Sequence, residues 1–265
     1  MAYRKQKPWG QNKPTAVASV DYSHPISNGL NVCWLFTEAS ATIRDIAVKK
    51  LNGTATLTAV ESGKFGKAIA FNSANPSNIT TASYACTGDF TFSVWVYLKA
   101  DGAPNYSNII LVNASPYRQI YVTNTNHFLS FYNANSGGYF TSVAVTLNKW
   151  QYLVFTLKGT TCTFYLDGVN VDSRTVTVTD ATAALNVGGF PTIGNSNARL
   201  DVMRIYNRAL TSYEVKSLFT EPFLGILNSY VKMRSSPVSS NNPFSPRAPY
   251  IKGASSTKGV LSTKF

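Results

Sequence analysis

Residues 200–215 read LDVMRIYNRALTSYEV and contain a strand, a turn and the start of a helix. From Leu200 to Ile205 the side chains alternate at a period of two, which is the pattern of a β-strand. Tyr206-Asn207-Arg208 interrupts this alternation, so we predict a turn there. Thr211 and Glu214 have the spacing of a capping box, in which each side chain accepts a hydrogen bond from the other residue's backbone amide. The stretch therefore predicts the closing strand of a β domain followed by a helix.

The segment from Phe90 to Leu98 shows the same alternation over a longer run. Its even-numbered residues are all apolar and its odd-numbered residues include Trp95 and Tyr97, so we predict a strand that is buried on at least one face. Asp167-Gly168 lies between two further strand-like runs and predicts a hairpin, because a type I′ turn needs positive φ at both central residues.

Strand-like runs recur along the chain between clusters of Asn, Gly, Ser and Pro, and no long helical period precedes residue 211. These runs span residues 109–113, 118–123, 128–132, 139–146, 151–158 and 174–178. The predicted fold class is all-β: an antiparallel jelly-roll sandwich with extended terminal arms and one short C-terminal helix. The side chains predicted to be largely buried are Phe92, Trp95, Phe155, Phe164 and Leu166.

Several short motifs follow one another in the order found in a known family. They are Asn28-Gly29-Leu30, Gly66 to Phe71, Asp89 to Val96, Trp150 to Thr156, Phe164 to Gly168 and Val187 to Gly189. With these motifs, residues 28–219 resemble the laminin-G-like (concanavalin A-like lectin/glucanase) jelly-roll family, of the kind found in tailed-phage structural proteins. The resemblance implies a single sandwich domain of a class that includes both lectins and glycoside hydrolases.

The charges of this 265-residue chain are unevenly distributed, although 24 basic and 12 acidic residues give a formal net charge of +12. All 12 acidic residues lie between Asp21 and Glu221, and ten of the basic residues lie outside that range. The nearly neutral body disfavours nucleic acid as a partner, whereas the basic ends suit an acidic protein surface. We divide the chain into a basic N-terminal arm at 1–20, a laminin-G-like jelly-roll domain at 21–221 and a basic C-terminal arm at 222–265.

The C-terminal arm contains five prolines and many serines, which argues against a packed core, yet apolar side chains recur along it. We expect both arms to be extended and to bind neighbouring subunits of a larger assembly. The residues predicted to make these contacts are Arg4, Lys5, Trp9, Phe223, Tyr230, Arg234, Phe244, Arg247, Tyr250 and Phe265.

The N-terminal sequence is polar and basic, so we predict no signal peptide and synthesis in a reducing host cytoplasm. No run of 18 apolar residues occurs and the mean hydropathy is −0.06, so we expect no membrane partner. The cysteines Cys33, Cys86 and Cys162 lie in strand-like runs and are predicted to be buried free thiols.

A search for catalytic residues yields none. No two acidic residues have the spacing that would hold two carboxylates on one strand face about 5 Å apart, as retaining glycoside hydrolysis requires. His24 and His127 lack partners at metal-ligand spacing, and Gly63 to Lys67 lacks the length and the helix of a phosphate loop. We therefore predict that the protein is not an enzyme and uses no cofactor.

Structural calcium is a separate question, because many relatives with this fold carry such an ion. The candidate ligands are Glu38, Asp45 and Asp201. Three oxygen-bearing side chains are few for calcium and nothing in the sequence brings them together, so we predict no bound metal.

Aromatic side chains in loop-like segments are the remaining functional signal. Tyr106, Tyr117, Arg118, Tyr132 and Tyr139 lie among Asn, Ser and Gly residues, in segments that resemble the variable sugar-binding loops of lectins with this fold. A sugar ring can stack on tyrosine while amide and guanidinium groups bind its hydroxyls. These five are the predicted glycan-binding residues.

Two main functional hypotheses follow. The first, favoured by the basic arms, is a non-enzymatic structural protein of a virion. Such a protein would be a phage capsid decoration or minor head protein, bound to the major capsid protein, to other virion proteins or to further copies of itself. The alternative is a lectin-like carbohydrate-binding module for host or environmental glycans. A glycosidase is a third hypothesis, which the carboxylate spacing disfavours.

Overall fold

Two large antiparallel sheets pack face to face in the computed structural model and form the jelly-roll sandwich that the sequence predicts. The structure describes residues 13–14, 18–38, 41–74, 77–103, 106–113, 117–133, 137–190 and 194–228. The strands, in chain order, are β1 (Ala18–Val20), β2 (Leu30–Trp34), β3 (Thr42–Ile43), β4 (Gly53–Thr56), β5 (Ala59–Ser62), β6 (Lys67–Ala70), β7 (Asn78–Cys86), β8 (Phe90–Ala103), β9 (Tyr106–Val112), β10 (Arg118–Thr123), β11 (Phe128–Asn133), β12 (Gly137–Ala144), β13 (Trp150–Lys158), β14 (Thr161–Leu166), β15 (Val169–Thr175), β16 (Ala181–Val187), β17 (Gly189–Phe190), β18 (Gly194–Tyr206) and β19 (Ile226–Asn228). One α-helix, α1 (Ser212–Thr220), follows β18, and a 3-10 turn (Pro25–Ser27) precedes β2.

The two sheets have nine and eight strands. In the nine-stranded sheet the order is β15-β14-β13-β8-β18-β6-β5, and β2 and β17 also pair with β18. In the eight-stranded sheet the order is β12-β11-β10-β9-β16-β7-β4-β3. A small third sheet pairs β1 with β19. Because β16 lies between β9 and β7, the eight-stranded sheet is assembled from segments that are distant in the chain.

Apolar side chains fill two layers, one on each face of the nine-stranded sheet. Phe92, Phe155 and Phe164 lie in the layer between the two sheets. Trp95 and Tyr152 lie on the opposite face, where α1 and the terminal strands cover them. The strand β8 is therefore buried on both faces, and its alternating pattern assigns each side chain to one of the two layers.

The local predictions for the closing stretch are confirmed. Thr211 is the N-cap of α1, its hydroxyl accepts a hydrogen bond from the Glu214 amide at 3.3 Å, and Glu214 Oε2 accepts one from the Thr211 amide at 2.9 Å. In the hairpin between β14 and β15, Asp167 and Gly168 have φ values of 52° and 78°, as the type I′ turn requires.

Most of the predicted core residues are buried. Phe92, Trp95, Phe155 and Phe164 are each 4% exposed or less. Leu166 is only half-buried, because it lies at the end of β14 beside the turn, although it still packs against the inter-sheet layer. The three cysteines are buried and unpaired, as predicted.

In the structure the sandwich extends beyond both predicted domain boundaries, to residue 18 before Asp21 and to residue 228 after Glu221. Phe223, predicted as a partner-binding residue of the C-terminal arm, is 1% exposed, and its ring centroid lies 5.3 Å from that of Phe65. Residues 18–20 pair with residues 226–228, so both segments belong to the sandwich. The reason is that the apolar residues after Pro222 cover the outer face of the nine-stranded sheet.

The remaining predicted arm contacts lie outside the described residues: Arg4, Lys5, Trp9, Tyr230, Arg234, Phe244, Arg247, Tyr250 and Phe265.

Within the described part of the chain, no helix is long and apolar enough to span a bilayer.

Candidate functional site

The eight-stranded sheet is almost free of charge. Within its described strands, Arg118 is the only Asp, Glu, Lys or Arg residue. The nine-stranded sheet, by contrast, carries charged residues on six of its strands. Apart from Arg118, the described strands of this sheet therefore offer a ligand no charged side chain.

Arg118 does not lie on the outer face of the eight-stranded sheet, so its predicted glycan-binding role is wrong. Its side chain is 2% exposed, its Nη2 lies 2.8 Å from Asp180 Oδ1, and its Nε donates to the Thr179 carbonyl at 3.0 Å. The guanidinium also covers the ring of Phe90 at 5.0 Å from the centroid. Since successive strand residues point to opposite faces, Arg118 points inward and Gln119 outward.

A continuous row of side chains crosses the outer face. In the strand registers, Tyr132 is paired with Gln119, Gln119 with Leu111, Leu111 with Asn186, and Asn186 with Thr80. The row thus spans β11, β10, β9, β16 and β7. Thr80 Oγ1 lies 3.0 Å from Asn186 Oδ1, so the amide group of Asn186 is held in place.

Tyrosines lie beside this row. The ring of Tyr121 lies 4.9 Å from the ring of Tyr106, measured between centroids, with 51° between the planes. Gln119 Nε2 donates to Asn108 Oδ1 at 3.4 Å, and Gln119 also hydrogen-bonds Tyr106. We call the set formed by Tyr106, Asn108, Gln119, Tyr121, Tyr132 and Asn186 the tyrosine–amide face.

Only the rings of Tyr106 and Tyr132 are partly accessible on the tyrosine–amide face, because its amides are buried: Asn108, Gln119 and Asn186 are 0%, 4% and 2% exposed. Tyr106 and Tyr132 are half-buried, whereas Tyr121 is 7% exposed. Asn108 Nδ2 has no hydrogen-bond partner among the described residues. Burial raises the pKa of Tyr106, and burial together with the neighbouring Tyr106 raises the pKa of Tyr121 to about 12. Both hydroxyls are therefore neutral donors at physiological pH.

The structure brings together only part of the predicted glycan-binding set. Tyr106 and Tyr132 lie on the tyrosine–amide face. Tyr139 is paired with Phe131 and packs against the inter-sheet layer. Like Arg118, it points to the inner face of its strand, so its predicted glycan-binding role is wrong. Tyr117 lies just before β10, half-buried, and its carbonyl accepts a hydrogen bond from Asn133 at 2.9 Å.

Sequence reasoning missed Tyr121, Gln119, Asn108 and Asn186. The alternation of Gln119 and Tyr121 around Ile120 was a usable signal, because both residues share the face opposite to the buried isoleucine. Asn186 gave no such signal, since only the non-local pairing of β16 with β9 brings it to this face.

Two of the candidate calcium ligands, Asp45 and Asp201, are engaged by groups of the protein itself. Asp45 Oδ1 accepts hydrogen bonds from the amides of Cys33 and Ala47 at 2.9 and 2.8 Å, and its Oδ2 accepts one from Leu51 at 2.7 Å. Asp201 is ion-paired with Lys13 instead. No group of three or more His, Cys, Asp or Glu side chains suited to a metal ion occurs in the described ranges. Both aspartates thus serve as structural acceptors.

Comparisons with known proteins agree with this architecture. The sequence model of the concanavalin A-like lectin/glucanases superfamily matches residues 71–216, which is more than half of the chain. No curated protein matches the chain.

Solved structures with the same fold come from proteins of diverse activity. The binding domain of Paraclostridial Mosquitocidal Protein 1 is 20% identical with a TM-score of 0.61, and the match covers 75% of this chain and 53% of that one. A Trypanosoma rangeli sialidase is 14% identical with a TM-score of 0.58, over 79% of this chain and 37% of the sialidase. Domain 4 of AbnA, a GH43 extracellular arabinanase from Geobacillus stearothermophilus solved with arabinotriose, is 21% identical with a TM-score of 0.58. This match covers 71% of this chain and 97% of the arabinanase domain. This chain therefore spans about half or less of the first two proteins but nearly all of the arabinanase domain.

Proposed function

Because the chain belongs to the concanavalin A-like lectin/glucanase superfamily, we propose that it is a carbohydrate-binding module whose ligand lies across the tyrosine–amide face. The observation that carries this proposal is the clustering of three tyrosines with the amides of Gln119, Asn108 and Asn186 on one neutral sheet surface. The half-buried rings of Tyr106 and Tyr132 offer apolar surface to the C–H face of a sugar, and their hydroxyls can bind its hydroxyls. The buried amides support these rings, since Gln119 hydrogen-bonds Tyr106.

The charge distribution favours one class of glycan. Carboxylate sugars are bound by Arg or Lys, which form charge-assisted hydrogen bonds to the acid group. The one arginine of this sheet, Arg118, points inward and is held by Asp180. The ligand is therefore a neutral oligosaccharide. The arabinotriose complex of the arabinanase domain supports this class, whereas the sialidase ligand, sialic acid, is the class that a neutral surface disfavours.

Binding without hydrolysis is part of the proposal. Two carboxylates that adjoin strands of the eight-stranded sheet are engaged by protein groups: Asp180, just before β16, binds Arg118 and the Gly88 amide at 2.8 Å each, and Asp45, just after β3, accepts from three backbone amides. A retaining glycosidase needs a second free carboxylate opposite the first. Incubation with neutral polysaccharides followed by reducing-sugar assay tests this part, and turnover would overturn it.

A glycan array followed by calorimetry tests the binding proposal. Wild type is expected to select neutral oligosaccharides, and Tyr132→Ala and Tyr106→Ala are each expected to weaken binding by about tenfold or more, the loss of one stacking contact. Tyr213→Ala is the matched control, because Tyr213 is 80% exposed on α1, away from the tyrosine–amide face. Failure of every neutral glycan to bind, or equal weakening by Tyr213→Ala, would overturn the proposal.

A second candidate function, the virion structural role, is supported by one observation. Ala18 is paired with Asn228, so the basic N-terminal and C-terminal segments are attached to the sandwich at the same small sheet. Two arms that start at one place suit attachment to a single acidic site on a capsid or other virion protein. Deleting residues 229–265 is expected to abolish incorporation into the particle, and full incorporation of the truncated protein would remove this candidate.

A further inference from the structure

Asp201 is a buried carboxylate on the outer face of the nine-stranded sheet, where it is paired with Trp95. Its side chain is fully buried, and the loop from Gly63 to Lys67 wraps around it. The Phe65 amide donates to Asp201 Oδ2 at 3.0 Å. A Cβ atom added to Gly63 would lie 2.5 Å from the same oxygen, so only glycine leaves room for the carboxylate here.

The remaining oxygen of Asp201 faces a cation that belongs to the chain itself. Lys13 Nζ forms an ion pair with Asp201 Oδ1 and also contacts the backbone carbonyl oxygen of Lys67. The Lys13 side chain is 6% exposed. The negative charge of Glu38 acts on the same ammonium group. Lys13 was counted with the basic arm in the sequence, but its charge is used inside the domain.

We propose that Lys13 is a built-in cation that occupies a buried oxygen site formed by Asp201 and the Lys67 carbonyl, and that it fastens the N-terminal segment to the sandwich. The site places a carboxylate and a carbonyl oxygen against one buried positive charge, and both are oxygen ligands of the kind that hard cations prefer. Calcium would need about six to eight oxygen ligands. The third candidate ligand, Asp45, directs both its oxygens to backbone amides elsewhere.

Each charge of this pair depends on the other. Burial lowers the pKa of Lys13 and raises that of Asp201, and in both cases the partner's charge counteracts this effect. Removing one partner of a buried pair leaves the other as an uncompensated buried charge, which is more harmful than removing both. The proposal therefore predicts strong, non-additive coupling between the two residues.

A double-mutant cycle tests this coupling. Lys13→Met and Asp201→Asn are each expected to lower the Tm by roughly 5 to 15 °C, and the double variant by clearly less than the sum of the two. Lys99→Met is the matched control, because the Lys99–Glu61 pair at 2.7 Å is about one third exposed. That variant should lower the Tm by less than about 2 °C. Unchanged Tm in Lys13→Met, or additive effects in the double variant, would overturn the proposal.

The same samples show whether Lys13 or a metal ion fills the site. The Tm of wild type should not change with about 5 mM calcium chloride or EDTA, because the site is already filled. A rise of the wild-type Tm with calcium, or a fall with EDTA, would show that a metal and not Lys13 fills the site.

Amine labelling tests the contact without any variant that might fail to fold. Acetylation of the native protein with a water-soluble ester, followed by peptide mass spectrometry, is expected to modify Lys13 at least about tenfold more slowly than the exposed Lys50 and Lys158. Equal labelling of the three lysines would contradict the proposal.

Discussion

The rings of Tyr106 and Tyr121 lie 4.9 Å apart on the outer face of the eight-stranded sheet, although the two residues belong to different strands. The register between β9 and β10 shifts next to Tyr121: Ile120 is paired with Ile110, but Tyr121 is paired with Asn108, so Ile109 is the extra residue of a β-bulge. This bulge brings Asn108 within reach of Gln119. A local irregularity in one strand pair thus gathers rings and amides into one binding surface.

Binding at the tyrosine–amide face should be independent of pH near neutrality. The face contains no carboxylate, imidazole or amine, and the pKa of Tyr121 is raised to about 12, so no group there changes charge between about pH 5 and pH 9. Calorimetry across this range is expected to give dissociation constants within about twofold of each other. A tenfold change would indicate that an ionisable group contacts the glycan.

Arg118 should matter for stability and not for binding. Arg118→Met removes the hydrogen bonds to Asp180 and Thr179 and the contact with the Phe90 ring, with an expected loss of about 1 to 3 kcal/mol in the free energy of unfolding. Glycan affinity should remain at the wild-type value, because the side chain points away from the tyrosine–amide face. Loss of affinity in a folded Arg118→Met protein would restore the role predicted from the sequence.

The C-terminal boundary can be located by two truncations. A chain ending at Asn228 keeps Phe223 and β19 and should retain the wild-type Tm. A chain ending at Glu221 loses Phe223 and Ile226, each 1% exposed, and should lose on the order of 3 kcal/mol or more. Urea unfolding distinguishes the two, and equal stability of both truncations would show that the segment from 222 to 228 does not belong to the domain.

The inter-sheet layer provides a test of the fold. Phe92 is 2% exposed near the start of β8 and is paired with Phe155 on β13. Phe92→Ala should lower the free energy of unfolding by about 3 to 5 kcal/mol. A loss below about 1 kcal/mol would mean that this strand is misplaced.

The capping box gives a pH-dependent prediction. Burial alone would raise the pKa of Glu214, but the hydrogen bonds from Arg208 and Thr211 together lower it below its ordinary value. Since the folded pKa lies below the unfolded one, this carboxylate stabilises the protein above the ordinary pKa, and the contribution is lost as pH falls through the folded value. Glu214→Gln should cost about 1 kcal/mol at pH 7. The gap to wild type should close below about pH 4, and a constant gap in urea midpoints from pH 7 to 3 would contradict the assignment.

The sequence predicted what local patterns determine. The strand and turn before Thr211, the hairpin at Asp167-Gly168 and the burial of β8 on at least one face all follow from neighbours in the chain. The pairing of β16 between β9 and β7 does not, because it joins residues about a hundred positions apart. The proposed binding face could not be predicted for the same reason. The sequence indicates which tyrosines lie near the loops, but the face of the sheet on which each tyrosine lies depends on the strand register. Tyr139 and Tyr132 therefore point to opposite sides.

Side-chain spectra test the central claim most directly. Tyrosine rings labelled with carbon-13 can be followed by NMR while the tightest-binding neutral oligosaccharide is titrated into the protein. The ring signals of Tyr106, Tyr121 and Tyr132 should move together and saturate at one dissociation constant, whereas those of Tyr22 and Tyr213, which are 56% and 80% exposed elsewhere on the surface, should stay in place. Shifts confined to Tyr22 or Tyr213, or no shift in the three face tyrosines at saturation, would show that the glycan does not bind this sheet.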